Sequence, residues 1–110
     1  MKVSQGDIIE LNYLFPNGIF KPHLAIIVSN DDLLLDEGFF YVVMLSSKNY
    51  NPQYTFELKN EMLTRSLQKQ SYAVCQLIGG YTERDVLKKC GRVKEYAFVQ
   101  IVEKIKQVIF

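Results

Sequence analysis

The sequence has a single histidine, His23, and two cysteines, Cys75 and Cys90. The cysteines lack metal-ligand spacing and companions, so a metal site is not expected. They read instead as free, buried thiols of a reducing cytosol. No run of apolar residues approaches the ~20 needed to cross a bilayer. The opening stretch MKVSQGDIIE lacks the apolar core of a secretory signal. The expectation is a soluble cytoplasmic chain with no membrane attachment. Charge of one sign is not in excess either: 13 Lys and Arg face 12 Asp and Glu, a formal net charge of +1. Without a basic tail, any nucleic-acid contact must come from a local patch. Internal repeats and low-complexity linkers are also missing.

What remains is an ordinary globular composition, 48% hydrophobic and 23% charged, which argues against disorder. At 110 residues the chain is expected to form one domain, 1–110, with one modest core. A partner subunit would help a core of that size. In Asp7–Tyr13, Ile9, Leu11 and Tyr13 share one face while Glu10 and Asn12 take the other, a half-buried strand. Phe15-Pro16-Asn17-Gly18 is a turn, so the next strand pairs back as a hairpin. That strand is KPHLAIIVSN, Lys21–Asn30, apolar from Leu24 to Val28. Pro22 lacks a ladder donor and is expected at its first position, which puts Lys21 and His23 at the strand's mouth.

Ser29–Gly38 reads as a polar, acidic loop in which Leu33-Leu34-Leu35 form either a helical turn or a subunit contact. Phe39–Leu45 is a third strand, apolar on both faces and therefore central, ending at Ser46-Ser47-Lys48. Asn49-Tyr50-Asn51-Pro52 is a turn, and Tyr54–Lys59 alternates as a half-exposed strand. Asn60–Lys69 is a loop with room for a helical turn. Ser71–Ile78 is a fifth strand that Gly79-Gly80 is expected to break. Thr82–Asp85 has the form of a capping box; a turn to Cys90-Gly91 and a short strand there remain equal alternatives. Phe98, Ile101, Val102, Ile105, Val108 and Ile109 recur at helical spacing, so a C-terminal amphipathic helix begins near Lys94, without a side-chain cap. Five or six short strands and one helix imply a mostly β fold, a small antiparallel barrel whose closure removes exposed edges.

These pieces, in this order, resemble the PemK/MazF-like toxins, small dimeric ribonucleases of bacterial toxin–antitoxin pairs with an SH3-like barrel. GDIIELNY resembles the family's opening strand and KPHLAIIVSN its second, usually Arg-Pro-Ala-Leu-Val-Leu-Ser. FFYVVMLSS resembles the third strand. SYAVCQLI resembles the later strand, which usually ends Asp-Gln-Ile. GRVKEYAFVQIVEKIKQVI resembles the closing Gly-Arg-Leu and helix. The resemblance implies a metal-independent, cofactor-free endoribonuclease acting on single-stranded RNA. In it, the 2′-hydroxyl attacks the adjacent phosphorus and leaves a cyclic phosphate, which calls for a base, an acid and donors for developing charge. It also implies a homodimer and a cognate antitoxin.

Carried over position by position, the arginine before Pro becomes Lys21, which keeps charge but loses the bidentate fork. Ser46 and Ser47 supply the hydroxyls at the end of the third strand, with Lys48 beside them. The family's Asp falls on Gln76, which cannot take a proton as a carboxylate does, and an Arg near it falls on Val74. Arg84 lies a few residues beyond the triplet. His23, where the family usually has a small residue, is a candidate replacement proton carrier, histidine being the side chain suited to that role near neutral pH. The expected catalytic set is Lys21, His23, Ser47 and Gln76. The expected RNA contacts are Lys21, Ser46, Ser47, Lys48 and Arg84. Two alternatives stand beside this reading: a binding module without catalysis, and inhibition of a topoisomerase, which the plain Val108-Ile109-Phe110 ending disfavours.

Overall fold

The period-two stretch at the start of the chain becomes β1 (Asp7–Leu14), and the Pro-Asn-Gly turn returns it as β2 (Phe20–Ile27). This is how the protein begins in a computed structural model that describes residues 2–49 and 51–110. Then come α1 (Asp31–Glu37), β3 (Phe40–Ser46), β4 (Thr55–Leu58), a 3-10 turn (Asn60–Met62) and β5 (Ser71–Tyr81). A second 3-10 turn (Glu83–Asp85), β6 (Val86–Arg92) and α2 (Glu95–Ile109) complete the chain. The strands form one antiparallel sheet in the order β4-β5-β3-β2-β1-β6.

The sheet curls until its two edges meet. Beyond β4 and β6, Leu63 bridges Val93. Thr64 N–H donates to the Arg92 carbonyl at 2.9 Å, and Lys94 N–H donates to the Met62 carbonyl at 2.7 Å. Edge groups are thereby paired instead of exposed. The fold is mostly β, with the expected C-terminal helix.

Each face of the sheet carries a core. On one face Ile8, Ile26, Val43, Ala73 and Cys75 pack against Ala97, Ile101 and Ile105 of α2. On the other, Ile9, Leu11, Ala25, Ile27, Phe40 and Val42 pack with Val3, beneath Leu34 and Tyr81. β3 feeds both, through Val43 and Leu45 on one side and Phe40 and Val42 on the other. This is why it reads as apolar throughout.

Several local expectations change. The Ser29–Gly38 loop contains a helix, because Asn30 Oδ1 accepts the Leu33 N–H at 3.1 Å. Its end is a left-handed Gly38, whose N–H returns to Leu34 O, a standard glycine stop. Of the three leucines, Leu34 packs on the core while Leu35 is exposed. Pro22 lies at the third residue of β2, not the first. Of β2, only Ala25–Ile27 pairs with β3, so at Pro22 one side of the strand is open and a missing N–H is tolerated. Gly79-Gly80 does not break β5. A Cβ at Gly79 would lie 2.9 Å from the Tyr81 ring, and one at Gly80 3.8 Å from the Tyr41 ring. Gly79 thus makes room for the Tyr81 ring, while at Gly80 a side chain would meet the Tyr41 ring at ordinary contact distance. The Thr82–Asp85 capping box forms, but it closes only a 3-10 turn, and the strand alternative holds for β6. In the turn expected at Asn49–Pro52, Tyr50 lies outside the described residues.

Candidate functional site

The end of β3 opens into a cleft of about 840 Å³. Its floor comes from the strand centres: Glu10 on β1, Pro22 and Leu24 on β2, Leu45 on β3, Cys90 on β6. Ser46, Ser47 and Lys48 form one rim, and the segment from Arg65 to Lys69 arches over the other side. Lys88 and Lys89 enter from β6. Five basic side chains therefore surround one carboxylate among the described residues, in a chain whose net charge is only +1. This is the local basic patch that an even overall charge demands of an anion-binding protein. Lys89 is partly engaged elsewhere, its ammonium lying 3.3 Å from Asp7.

The register explains the floor. Glu10 stands opposite Leu24 of β2 and opposite Lys88 of β6, so these side chains share one face. The neighbouring Cys90 thiol is pushed up from its ordinary value, first by burial; Lys88 and Arg65 oppose this and Glu10 adds to it. It stays a neutral thiol. Cys75, deep in the core, is pushed up by burial to about 11. Both cysteines are free. Among the described residues, no three His, Cys, Asp or Glu side chains group as metal ligands would. No helix there is long and apolar enough to cross a membrane.

The residues singled out by sequence separate into four places. Ser46, Ser47 and Lys48 lie together on the cleft rim with His23 in the wall. Ser46 is also part of the strand-ending turn: its hydroxyl donates to Lys48 O at 2.9 Å and accepts Lys48 N–H at 3.1 Å. Ser47 is exposed.

The imidazole of His23 lies tilted against the Tyr13 ring, 5.4 Å between centroids, and against Phe15 at 6.0 Å. Its Nδ1 is 3.0 Å from the Leu24 carbonyl; since a carbonyl only accepts, Nδ1 carries the proton in that bond. Lys21 stands outside the cleft, its ammonium 5.7 Å from the Phe15 ring centre, opposite Tyr13 in the hairpin. Arg84 is also outside it, exposed on a turn packed against β1. The adjacent Tyr81 hydroxyl is pushed up by burial, then by Tyr13 and Asp85. Gln76 lies in the irregular stretch of β5 between Ala73 and Ile78. It does not line the cleft, and its Oε1 is buried without a hydrogen-bond partner among the described residues.

Glu10, Arg65, Lys69, Lys88 and Lys89 were not singled out by sequence reasoning. The signal for the four cations was the basic residues of RSLQKQ and LKKC, which no local pattern brings together; Glu10 was legible only as a polar-face residue of the first strand.

A model of the family described as PemK-like, MazF-like toxin of type II toxin–antitoxin systems matches residues 4–109. Comparison with curated proteins finds no match. Among solved structures, the fold is similar to an endoribonuclease in complex with its cognate antitoxin from a mycobacterial species. That likeness has a TM-score of 0.79 at 12% identity and covers 98% of this chain and 95% of that one. It is similar to a MazE–MazF structure from Deinococcus radiodurans, with a TM-score of 0.78 at 10% identity over 97% and 95%. The Mycobacterium tuberculosis toxin MazF-mt6 gives a TM-score of 0.74 at 11% identity over 93% and 94%.

Proposed function

Because the chain belongs to the PemK-like, MazF-like toxins of type II toxin–antitoxin systems, we propose that it cleaves single-stranded RNA without a metal. The observation that carries this reading is the basic cleft at the end of β3, with Ser47 exposed on its rim. Cations from three segments of the chain suit a polyanion, and a hydroxyl at the rim suits the charge that grows on a phosphate in attack. The ribose 2′-hydroxyl attacks phosphorus, the P–O5′ bond breaks, and a 2′,3′-cyclic phosphate remains. A homodimer and an antitoxin that competes with RNA for the cleft belong to the same reading. So does action in the cytoplasm by one domain spanning the chain. The mycobacterial endoribonuclease complexed with its antitoxin supports that partner class.

The test is incubation of purified protein with a long single-stranded RNA transcript, with EDTA and with magnesium. Cleavage is expected in both. Ser47→Ala should slow it roughly 100-fold. Lys21→Ala should slow it less, since that ammonium lies over Phe15 outside the cleft. RNA left intact in both buffers ends the reading. A second reading, RNA binding without cleavage, draws on Gln76, which stands where the family's Asp is expected and lies outside the cleft. A mobility shift with intact RNA would select it.

A further inference from the structure

The RNA-cleaving reading leaves the proton acceptor unassigned, since Gln76 cannot take a proton and does not line the cleft. We propose that Glu10 is that acceptor, the catalytic residue that removes the proton of the attacking 2′-hydroxyl; this inference rests on the function proposed above.

Glu10 is the only carboxylate among the described residues of the cleft wall. It is half-buried in the middle of β1, with β2 on one side and β6 on the other. Its backbone is therefore fixed on both flanks, the rigid placement a proton acceptor needs. No ion pair holds it within 4.0 Å among the described residues.

The other groups facing the cleft are poorer acceptors. Cys90 on β6 is a thiol pushed up by burial. His23 on β2 borders the cleft, but its ring packs against Tyr13 and Phe15 and its Nδ1 is taken up by the Leu24 carbonyl. The remaining charged groups are cations: Lys88 and Lys89 from β6, Arg65 and Lys69 from the arching segment, Lys48 from the end of β3. Cations close to a carboxylate give a phosphodiester its counter-charge while the carboxylate serves the adjacent hydroxyl.

The step balances. The 2′-hydroxyl proton passes to a Glu10 carboxylate oxygen as the O2′–P bond forms. The P–O5′ bond breaks, and the departing oxygen takes a proton from a solvent water. The hydroxide so formed removes the proton from Glu10, restoring the carboxylate with no net change in protons.

The experiment measures single-turnover cleavage of a long single-stranded RNA transcript between pH 5 and 9, with filter binding of the same RNA. It compares wild type, Glu10→Gln and Glu10→Asp. Thermal melts confirm that each variant is folded. Glu10→Gln should lower the rate at least ~100-fold with affinity unchanged or tighter, and should lose the acid limb of the pH profile. Glu10→Asp should keep that limb at a reduced rate. A Glu10→Gln protein that cleaves within about fivefold of wild type with the same pH profile overturns the proposal and leaves the RNA-cleaving reading intact. Intact RNA with the wild-type protein overturns that reading, and this proposal with it.

Discussion

Asp7 is the residue whose environment departs furthest from what its position suggests. It opens β1, yet it is fully buried. Its carboxylate accepts the Ser4 N–H at 2.8 Å and an Arg92 guanidinium N–H, with the Lys89 ammonium beside it. Arg92 also donates to Gln5 O at 2.9 Å. One buried carboxylate thus ties the chain start to β6. A buried charge is tolerated only while its partners stay in place. Arg92→Ala, which leaves Asp7 buried with one cation fewer, should cost about 3 kcal/mol of stability, read as a lower urea midpoint. A midpoint within error of wild type would mean that Lys89 and the Ser4 amide suffice.

Among the elements, α2 is the one whose sequence pattern and tertiary role agree best. Ile101 and Ile105 are buried at four-residue spacing, and Ala97 extends the same stripe. The first turn lacks a cap: Lys94 has extended angles, φ −64° and ψ 149°, with no side-chain hydrogen bond to the helix. Those angles suit a serine, whose hydroxyl accepts a free N–H of the first turn. Lys94→Ser should therefore stabilise the protein by about 1 kcal/mol. The bond from its own N–H to Met62 O is kept. A urea series checks the gain, and no gain would show that the first turn is already satisfied. β5 shows the opposite relation of pattern to outcome. Its paired glycines look like a break and are instead the places where the rings of Tyr81 and Tyr41 lie against the strand.

For the whole molecule, the telling property is where charge is placed, not how much there is. A net charge of +1 conceals a cleft with five cations and one carboxylate among the described residues. Under the proposed function, RNA affinity should fall steeply with salt, because each phosphate neutralised releases counterions. The slope of log affinity against log salt for a single strand changes by roughly 0.7 per contact. Lys88→Ala should flatten it by about that amount, measured by filter binding across a KCl series. Lys59→Ala, at a lysine that does not line the cleft, should leave it unaltered. Equal slopes for all three proteins would place the RNA elsewhere.

What the sequence by itself determined is what neighbouring residues encode. Alternation in Asp7–Tyr13 marks β1, Pro-Asn-Gly marks the hairpin, and three- and four-residue spacing marks α2. The order of these pieces identifies the family. Within the candidate site, Ser46, Ser47, Lys48 and His23 were legible as polar ends of apolar strands. Only the tertiary structure decided that β6 lies beside β1, that Lys88 faces Glu10, and that Arg65 arches over the same cleft. It also separated Lys21, Arg84 and Gln76 from that cleft. The physical reason is the range of the forces involved. A hydrophobic period is a property of consecutive residues, whereas the meeting of distant side chains depends on which strands pair and in what register, and no short stretch of sequence carries that information.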